Sequence, residues 1–246
     1  AMKYTNSMLM ELVLLVTLLF VFAGNAAAIE VKLTDYLPYV EVDHNGKTVR
    51  IQRIQNQDHH LSGGFTKTSR KCPPFCIQPI QVSPEVLTVG EVEIFRFMEH
   101  ELANGTGVII DARTPSWYNK GTIPGSTNIP FTVFDSSDKD SLEMIEALES
   151  LGAVQRSDVG SVTRSYEQAL AALGAFDAHQ LTDEWDFTNA KDLLVWCNGP
   201  WCGQSPRAIK GLLEVGYPPE KIKYDRGGMQ NWQVLGLTIV VPESSD

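Results

Sequence analysis

Two cysteines and a serine share one short stretch, Cys197-Asn198-Gly199-Pro200-Trp201-Cys202-Gly203-Gln204-Ser205. A thiol is a nucleophile as its thiolate, and a thiolate needs N–H donors or positive charge nearby. The residues around this stretch supply a way to arrange that. Leu193, Leu194, Val195 and Trp196 form an apolar run suited to a strand buried on both faces, which puts Cys197 at its carboxyl end. The loop that follows is rich in breakers. Ser205 is placed to N-cap a helix, with Pro206 at its first position and Gly216 beyond its end. Backbone N–H groups and the helix dipole at such a start favour thiolate over thiol. A lone cysteine after an apolar strand is more often an inert, buried small residue. The glycines, the proline and the capped helix argue against that reading here.

A second segment strengthens the case. Val108, Ile109 and Ile110 read as another buried strand, ending at Asp111. From there the chain resembles the rhodanese (sulfurtransferase) family, whose pattern runs roughly D-V-R-x-x-x-E-Y-x-x-G-H-I-P-G-A-x-N-I-P. Asp111, Arg113, Tyr118, Gly121, Ile123, Pro124, Gly125, Asn128, Ile129 and Pro130 fit in register, while Trp117 and Thr122 stand where the family usually has Glu and His. The second family signature, strand, Cys, loop, helix, G-[FY] and G-G-x-x-x-W, is met by Cys197, Gly216, Tyr217, Gly227, Gly228 and Trp232. The resemblance covers about residues 78–241 and leaves out the first third of the chain.

The family implies an α/β fold with a mostly parallel central sheet flanked by helices. Ahead of it, Tyr39-Val40-Glu41-Val42 and Thr48-Val49-Arg50-Ile51 alternate around Asn45-Gly46, a β-hairpin signal that predicts an N-terminal appendage. Residues 1–28 read as a signal peptide: Leu12 to Ala23 is apolar except for Thr17, and Ala26-Ala27-Ala28 supplies an A-x-A cleavage pattern. Export to the periplasm or beyond is therefore expected, with membrane attachment only if that segment stays uncleaved. Three parts follow: the signal at 1–28, the appendage and its Cys-Pro-Pro-Phe-Cys linker at 29–76, and the rhodanese-like part at 77–246. A helical insertion at about residues 135–190 holds helices at residues 142–151 and 162–173. Residues 77–82 are expected to open the sheet, and Thr88 to cap the next helix with Glu91 completing a capping box. The net charge of −10 disfavours a nucleic-acid partner.

The C-x-x-x-C pair Cys72 and Cys76 has neither thioredoxin nor zinc-knuckle spacing, so in an oxidising compartment a local structural disulfide is the default, with a redox partnership to the Cys197 loop as the alternative. His59 and His60 beside Asp58 lack further ligand spacing nearby and read as a solvated loop. No metal or organic cofactor is called for.

The chemistry implied by the resemblance is sulfur transfer. A thiolate attacks the outer sulfur of a donor such as thiosulfate, a persulfide forms, and the sulfur passes to a thiol or cyanide acceptor in ping-pong fashion. Loop N–H groups would hold the terminal sulfur anion. Cys197 and Cys202 are the catalytic candidates. Asn198, Gly199, Trp201, Gly203, Gln204, Ser205, Arg207, Asp111 and Arg113 are the candidates for holding substrate. The loop is longer than the usual family loop, and its second thiol leaves two assignments open. The strand-end position favours Cys197 as nucleophile with Cys202 resolving; Cys202, nearer the helix, could instead carry the sulfur. A cycling Cys197–Cys202 disulfide would make the protein a thiol–disulfide oxidoreductase, for which a redox protein is the candidate partner. A non-enzymatic binding module is the third class. The C-x-x-x-x-x-R pattern of related phosphatases is absent, since Gly203 and Ala208 stand where the arginine would be.

Overall fold

The computed structural model describes residues 29–156, 161–174 and 180–242, so the signal segment expected at 1–28 lies outside the described residues. In chain order the strands are β1 Val40–His44, β2 Lys47–Ile51, β3 Leu87–Val89, β4 Gly107–Asp111, β5 Ser126–Asn128, β6 Val154–Gln155, β7 Trp185–Asp186, β8 Asp192–Trp196 and β9 Ile222–Asp225. The helices are α1 Glu91–Phe97, prolonged by a π-helical turn Met98–Leu102, then α2 Pro115–Tyr118, α3 Phe131–Phe134, α4 Leu142–Ser150, α5 Ser161–Ala172, α6 Gln204–Glu214 and α7 Gly228–Val234.

Five parallel strands form the central sheet in the order β3-β9-β8-β4-β5. The middle strand β8 is buried from Leu193 to Trp196, as a continuous apolar run with parallel neighbours on both sides should be. Side chains alternate across it. Leu193 and Val195 face a core shared with Ile209 and Leu212 of α6, Phe134 of α3 and Leu148 of α4. Leu194 and Trp196 face a second core with Ile94 and Phe97 of α1 and Trp232 of α7. The hairpin β1–β2 belongs to that second core through Val40, Val42 and Ile51. Its turn has positive φ at both Asn45 and Gly46, the conformation that makes Asn-Gly a hairpin signal.

On the other face, α6 lies hard against α3. A Cβ at Gly211 would stand 2.0 Å from the Phe134 carbonyl oxygen, so backbone meets backbone there.

Three local expectations are corrected. Residues 77–82 form no strand, and the sheet begins at β3 instead. The polar groups of Gln78 are taken elsewhere: its N–H donates to the Pro200 carbonyl (2.8 Å), and Arg226 donates to the Gln78 and Pro79 carbonyls. Thr88 lies within β3 and gives its hydroxyl to the Ile80 carbonyl. The cap of α1 is Gly90, whose N–H donates to the Glu93 carboxylate at 3.2 Å, so the box is displaced by two residues. Finally, α6 is capped at Gly203 rather than Ser205, because the Ser205 hydroxyl has another partner.

Candidate active site

The loop of residues 197–203 joins the end of β8 to the start of α6 and is clamped by the start of α7. Met229 N–H donates to the Cys197 carbonyl and Gln230 N–H to the Asn198 carbonyl, both at 3.0 Å. The approach requires glycine at 228, where φ is +52° and a Cβ would lie 2.1 Å from the Cys197 carbonyl oxygen. The Asp225 carboxylate holds this turn by accepting the Gly228 N–H at 3.0 Å. Gly199, with φ +147°, lets the loop fold back so that Cys202 N–H reaches the Gly199 carbonyl at 2.8 Å.

This folding brings both sulfurs to the start of α6. Ser205 Oγ donates to Cys197 Sγ at 2.9 Å, and Cys197 Sγ lies 3.3 Å from the Cys202 carbonyl oxygen. Cys202 Sγ lies 3.9 Å from Asn198 Nδ2 and 3.5 Å from Gln204 Oε1. Both thiols are free and buried, Cys197 at 2% and Cys202 at 5% exposure. Their environments differ. Burial pushes the Cys197 thiol well up, with the hydrogen bond to Cys202 and the Cys202 charge adding to it, against the pull of Ser205. Cys202 is brought down to about 7, chiefly by the hydrogen bond from Cys197, with burial opposing and the Gln204 and Asn198 N–H groups assisting. The surroundings thus favour the negative charge on Cys202 over Cys197.

Asp111 and Arg113 support the loop from beneath. They form a buried ion pair, with Arg113 Nε donating to Asp111 Oδ1 at 2.8 Å and Nη2 to Oδ2 at 2.6 Å. The Arg113 guanidinium also donates to the Gly121 carbonyl at 2.7 Å and to Asn198 Oδ1 at 3.4 Å, and sits 4.6 Å from the Trp196 ring centre. Thr122, which replaces the family's usual His, donates to Asp111 Oδ2 at 2.9 Å. Asn128 donates to the Asp111 and Arg113 carbonyls, and Trp196 Nε1 to Ser126 Oγ. With these partners the pair orients Asn198, and through it the loop; its own donors and acceptors point to protein. Arg207 is likewise engaged: it pairs with Asp135 and lies 4.4 Å from the Phe131 ring centre.

Sequence reasoning missed a strap from the N-terminal third that lies across the loop. Phe65, Arg70 and Phe75 surround Trp201: the Arg70 guanidinium sits 4.0 Å from the Trp201 ring centre, Phe75 meets that ring edge-on at 5.6 Å, and Phe65 lies at 6.4 Å. Gln230 Nε2 donates to the Phe65 carbonyl at 2.7 Å and Trp201 Nε1 to Gln230 Oε1 at 3.4 Å. Trp117, in place of the family's usual Glu, touches Phe65 at 6.3 Å. Within the strap Cys72 and Cys76 are joined by a disulfide, Cα atoms 4.6 Å apart. Arg70 Nη2 donates to the Gly64 carbonyl, while its Nε is buried without a hydrogen-bond partner. Beside the loop, Arg70 and Arg226 are hydrogen-bonded to backbone carbonyls. A C-P-P-F-C run beside an arginine carries no signal of its own for packing on a loop more than a hundred residues away.

The rhodanese-like domain family matches residues 98–235. The chain belongs to that family. Its five-stranded parallel sheet, with helices on both faces and the thiol loop at the carboxyl end of the middle strand, is the rhodanese-like fold. The hairpin and the strap lie outside the matched segment. Among solved structures, the chain is similar to a human single-domain sulfurtransferase (19% identity, 62% of this chain and 97% of that one, TM-score 0.32). It is similar also to a thiosulfate sulfurtransferase from Pseudomonas aeruginosa (16%, 65% and 21%, 0.34). A third is a Rhodopseudomonas palustris protein described as a possible tyrosine phosphatase (18%, 63% and 83%, 0.34). No curated protein matches the chain.

Proposed function

We propose that this rhodanese-like protein is a sulfurtransferase whose cysteine pair carries a sulfane sulfur as a persulfide, with Cys202 as the attacking thiolate. The observation that carries the reading is the pair of free, buried thiols at the start of α6, one of them brought down to about 7. The strand-end position argues for Cys197, but that position is also the more buried one, and a buried thiol resists ionisation. Cys202 keeps the N–H groups of Asn198 and Gln204, and the adjoining Cys197 thiol adds to their pull.

With thiosulfate as donor, the Cys202 thiolate attacks the outer sulfur, the S–S bond of thiosulfate breaks, and sulfite leaves with the electron pair. The new Cys202–S–S⁻ anion sits where the loop donors converge, which stabilises it without reorganisation at the moment of transfer. Cyanide or an acceptor thiolate then attacks the terminal sulfur and returns Cys202 as thiolate. Ser205 holds Cys197 in place, and Arg70 and Arg226 supply positive charge for an anionic donor at the mouth.

Intact mass after reduction and thiosulfate treatment tests this. A gain of one sulfur, mapped to Cys202 and lost in Cys202→Ser, is the expected result. Retention of the gain in Cys202→Ser with loss in Cys197→Ser returns the role to the strand-end thiol. No sulfur uptake by the wild-type protein removes the sulfurtransferase reading altogether.

A further inference from the structure

The disulfide in the strap and the free pair in the loop are two redox-competent groups on segments that pack against one another. Phe75, next to Cys76 in the chain, and Trp201, next to Cys202, have their rings in edge-on contact at 5.6 Å. The Cys76 carbonyl accepts Gln78 Nε2 at 2.8 Å, and that same nitrogen lies 3.5 Å from where a Gly203 Cβ would be. Gln78 N–H binds the Pro200 carbonyl at 2.8 Å. Gln78 therefore ties the strap to the loop, by its N–H at Pro200 and by its side chain packed near Gly203. Meanwhile Cys72 is exposed and Cys76 half-buried, whereas both loop thiols are buried.

We propose that the Cys72–Cys76 disulfide exchanges intramolecularly with Cys202 and Cys197, moving a disulfide between the exposed strap and the buried pair. A bulky external disulfide meets two buried thiols, whereas the Cys72–Cys76 disulfide belongs to the segment packed against their loop. In the first step the Cys202 thiolate attacks Cys76 Sγ. The Cys72–Cys76 bond breaks, Cys72 leaves as an exposed thiolate, and a Cys76–Cys202 bond forms. In the second step the Cys197 thiol attacks Cys202 Sγ and Cys76 leaves, taking up the proton that Cys197 gives. One disulfide is consumed and one is made; the Cys197–Cys202 pair is oxidised, and Cys72 and Cys76 are reduced. The reverse sequence returns it. The lowered proton affinity of Cys202 supports its place as first attacker. This activity stands apart from sulfur transfer and needs no persulfide.

Two measurements test it. A Cys72→Ser/Cys197→Ser variant, treated with oxidised glutathione, should form a Cys76–Cys202 bond within the monomer, seen in non-reducing peptide maps. Glutathione adducts in place of that bond would overturn the proposal. In the full-length protein, oxidation of Cys197–Cys202 by one equivalent of diamide should run about tenfold faster or more than in Cys72→Ser/Cys76→Ser, since a tethered disulfide acts at a high effective concentration. Equal rates in the two proteins would also overturn it. Failure of either arm leaves sulfur uptake from thiosulfate untouched, so the two readings fall separately.

Discussion

At the scale of single residues, the site rests on two sulfurs whose surroundings push their proton affinities in opposite directions. Cys197 has the Ser205 hydroxyl and the deeper position, while Cys202 has the better donors. The thiolate is the reactive form, so alkylation of Cys202 by iodoacetamide should rise with pH through about 7 and level off above it. Cys197, pushed up by burial, should stay unreactive until well above that range. Peptide mapping of a pH series separates the two profiles, and a Cys197 profile that rises first would reverse the assignment. The sequence made both thiols and the helix start visible, because strand, breaker and proline signals are local. It did not show which sulfur is acidic, because that depends on the relative depth of two neighbouring side chains. The same limit applies to Asp111 and Arg113. Their place in the pattern was legible, but their engagement with each other, Thr122 and Asn198 came only from the folded chain.

Among the elements, the strap is the part that the family pattern does not supply. Its polar main chain is bound to the loop, to Gln230 and to Arg226, and its aromatic side chains enclose Trp201. Arg70 is fixed there with a guanidinium over that ring and no carboxylate among the described residues to neutralise it. Arg70→Ala should therefore raise KM for thiosulfate about three- to tenfold with little change in kcat, since a rim cation draws in the donor rather than stabilising the transfer step. The effect should shrink as ionic strength rises. Steady-state kinetics at two salt concentrations would show it, and an unchanged KM would remove Arg70 from donor capture. The element boundaries missed from sequence have physical reasons. Residues 77–82 alternate enough to pass for a strand, but their backbone groups are taken by Pro200 and Arg226 before any sheet edge can claim them. Ser205 has the type of an N-cap, yet the nearby sulfur competes for its hydroxyl.

For the molecule as a whole, the sheet divides two cores, and the N-terminal hairpin is built into the one that also holds α1 and α7. Its alternating pattern and Asn-Gly turn were plain in the sequence, whereas its docking was not, because nothing local says which face of another element will cover Val40, Val42 and Ile51. Ile51 is fully buried. Ile51→Ala should lower stability by about 2–5 kcal/mol, the cost of lost burial plus a cavity, as read by denaturant unfolding. A change below about 1 kcal/mol would mean that the hairpin is a loosely held ornament. The opposite core has a mechanical consequence. Where Gly211 sets the backbone of α6 against Phe134, the reactive helix has a hard stop behind it. It could not recoil along its flank if, as proposed, a sulfur atom were added at its tip. Any room the enlarged anion needed would have to come from the other direction, by outward travel of the loop and of the strap resting on it. If the proposed persulfide forms, the helix would act as an anvil and each loading of sulfur would become a small displacement of the strap, which the ring of Trp201 between Arg70 and Phe75 is placed to register as a change in fluorescence.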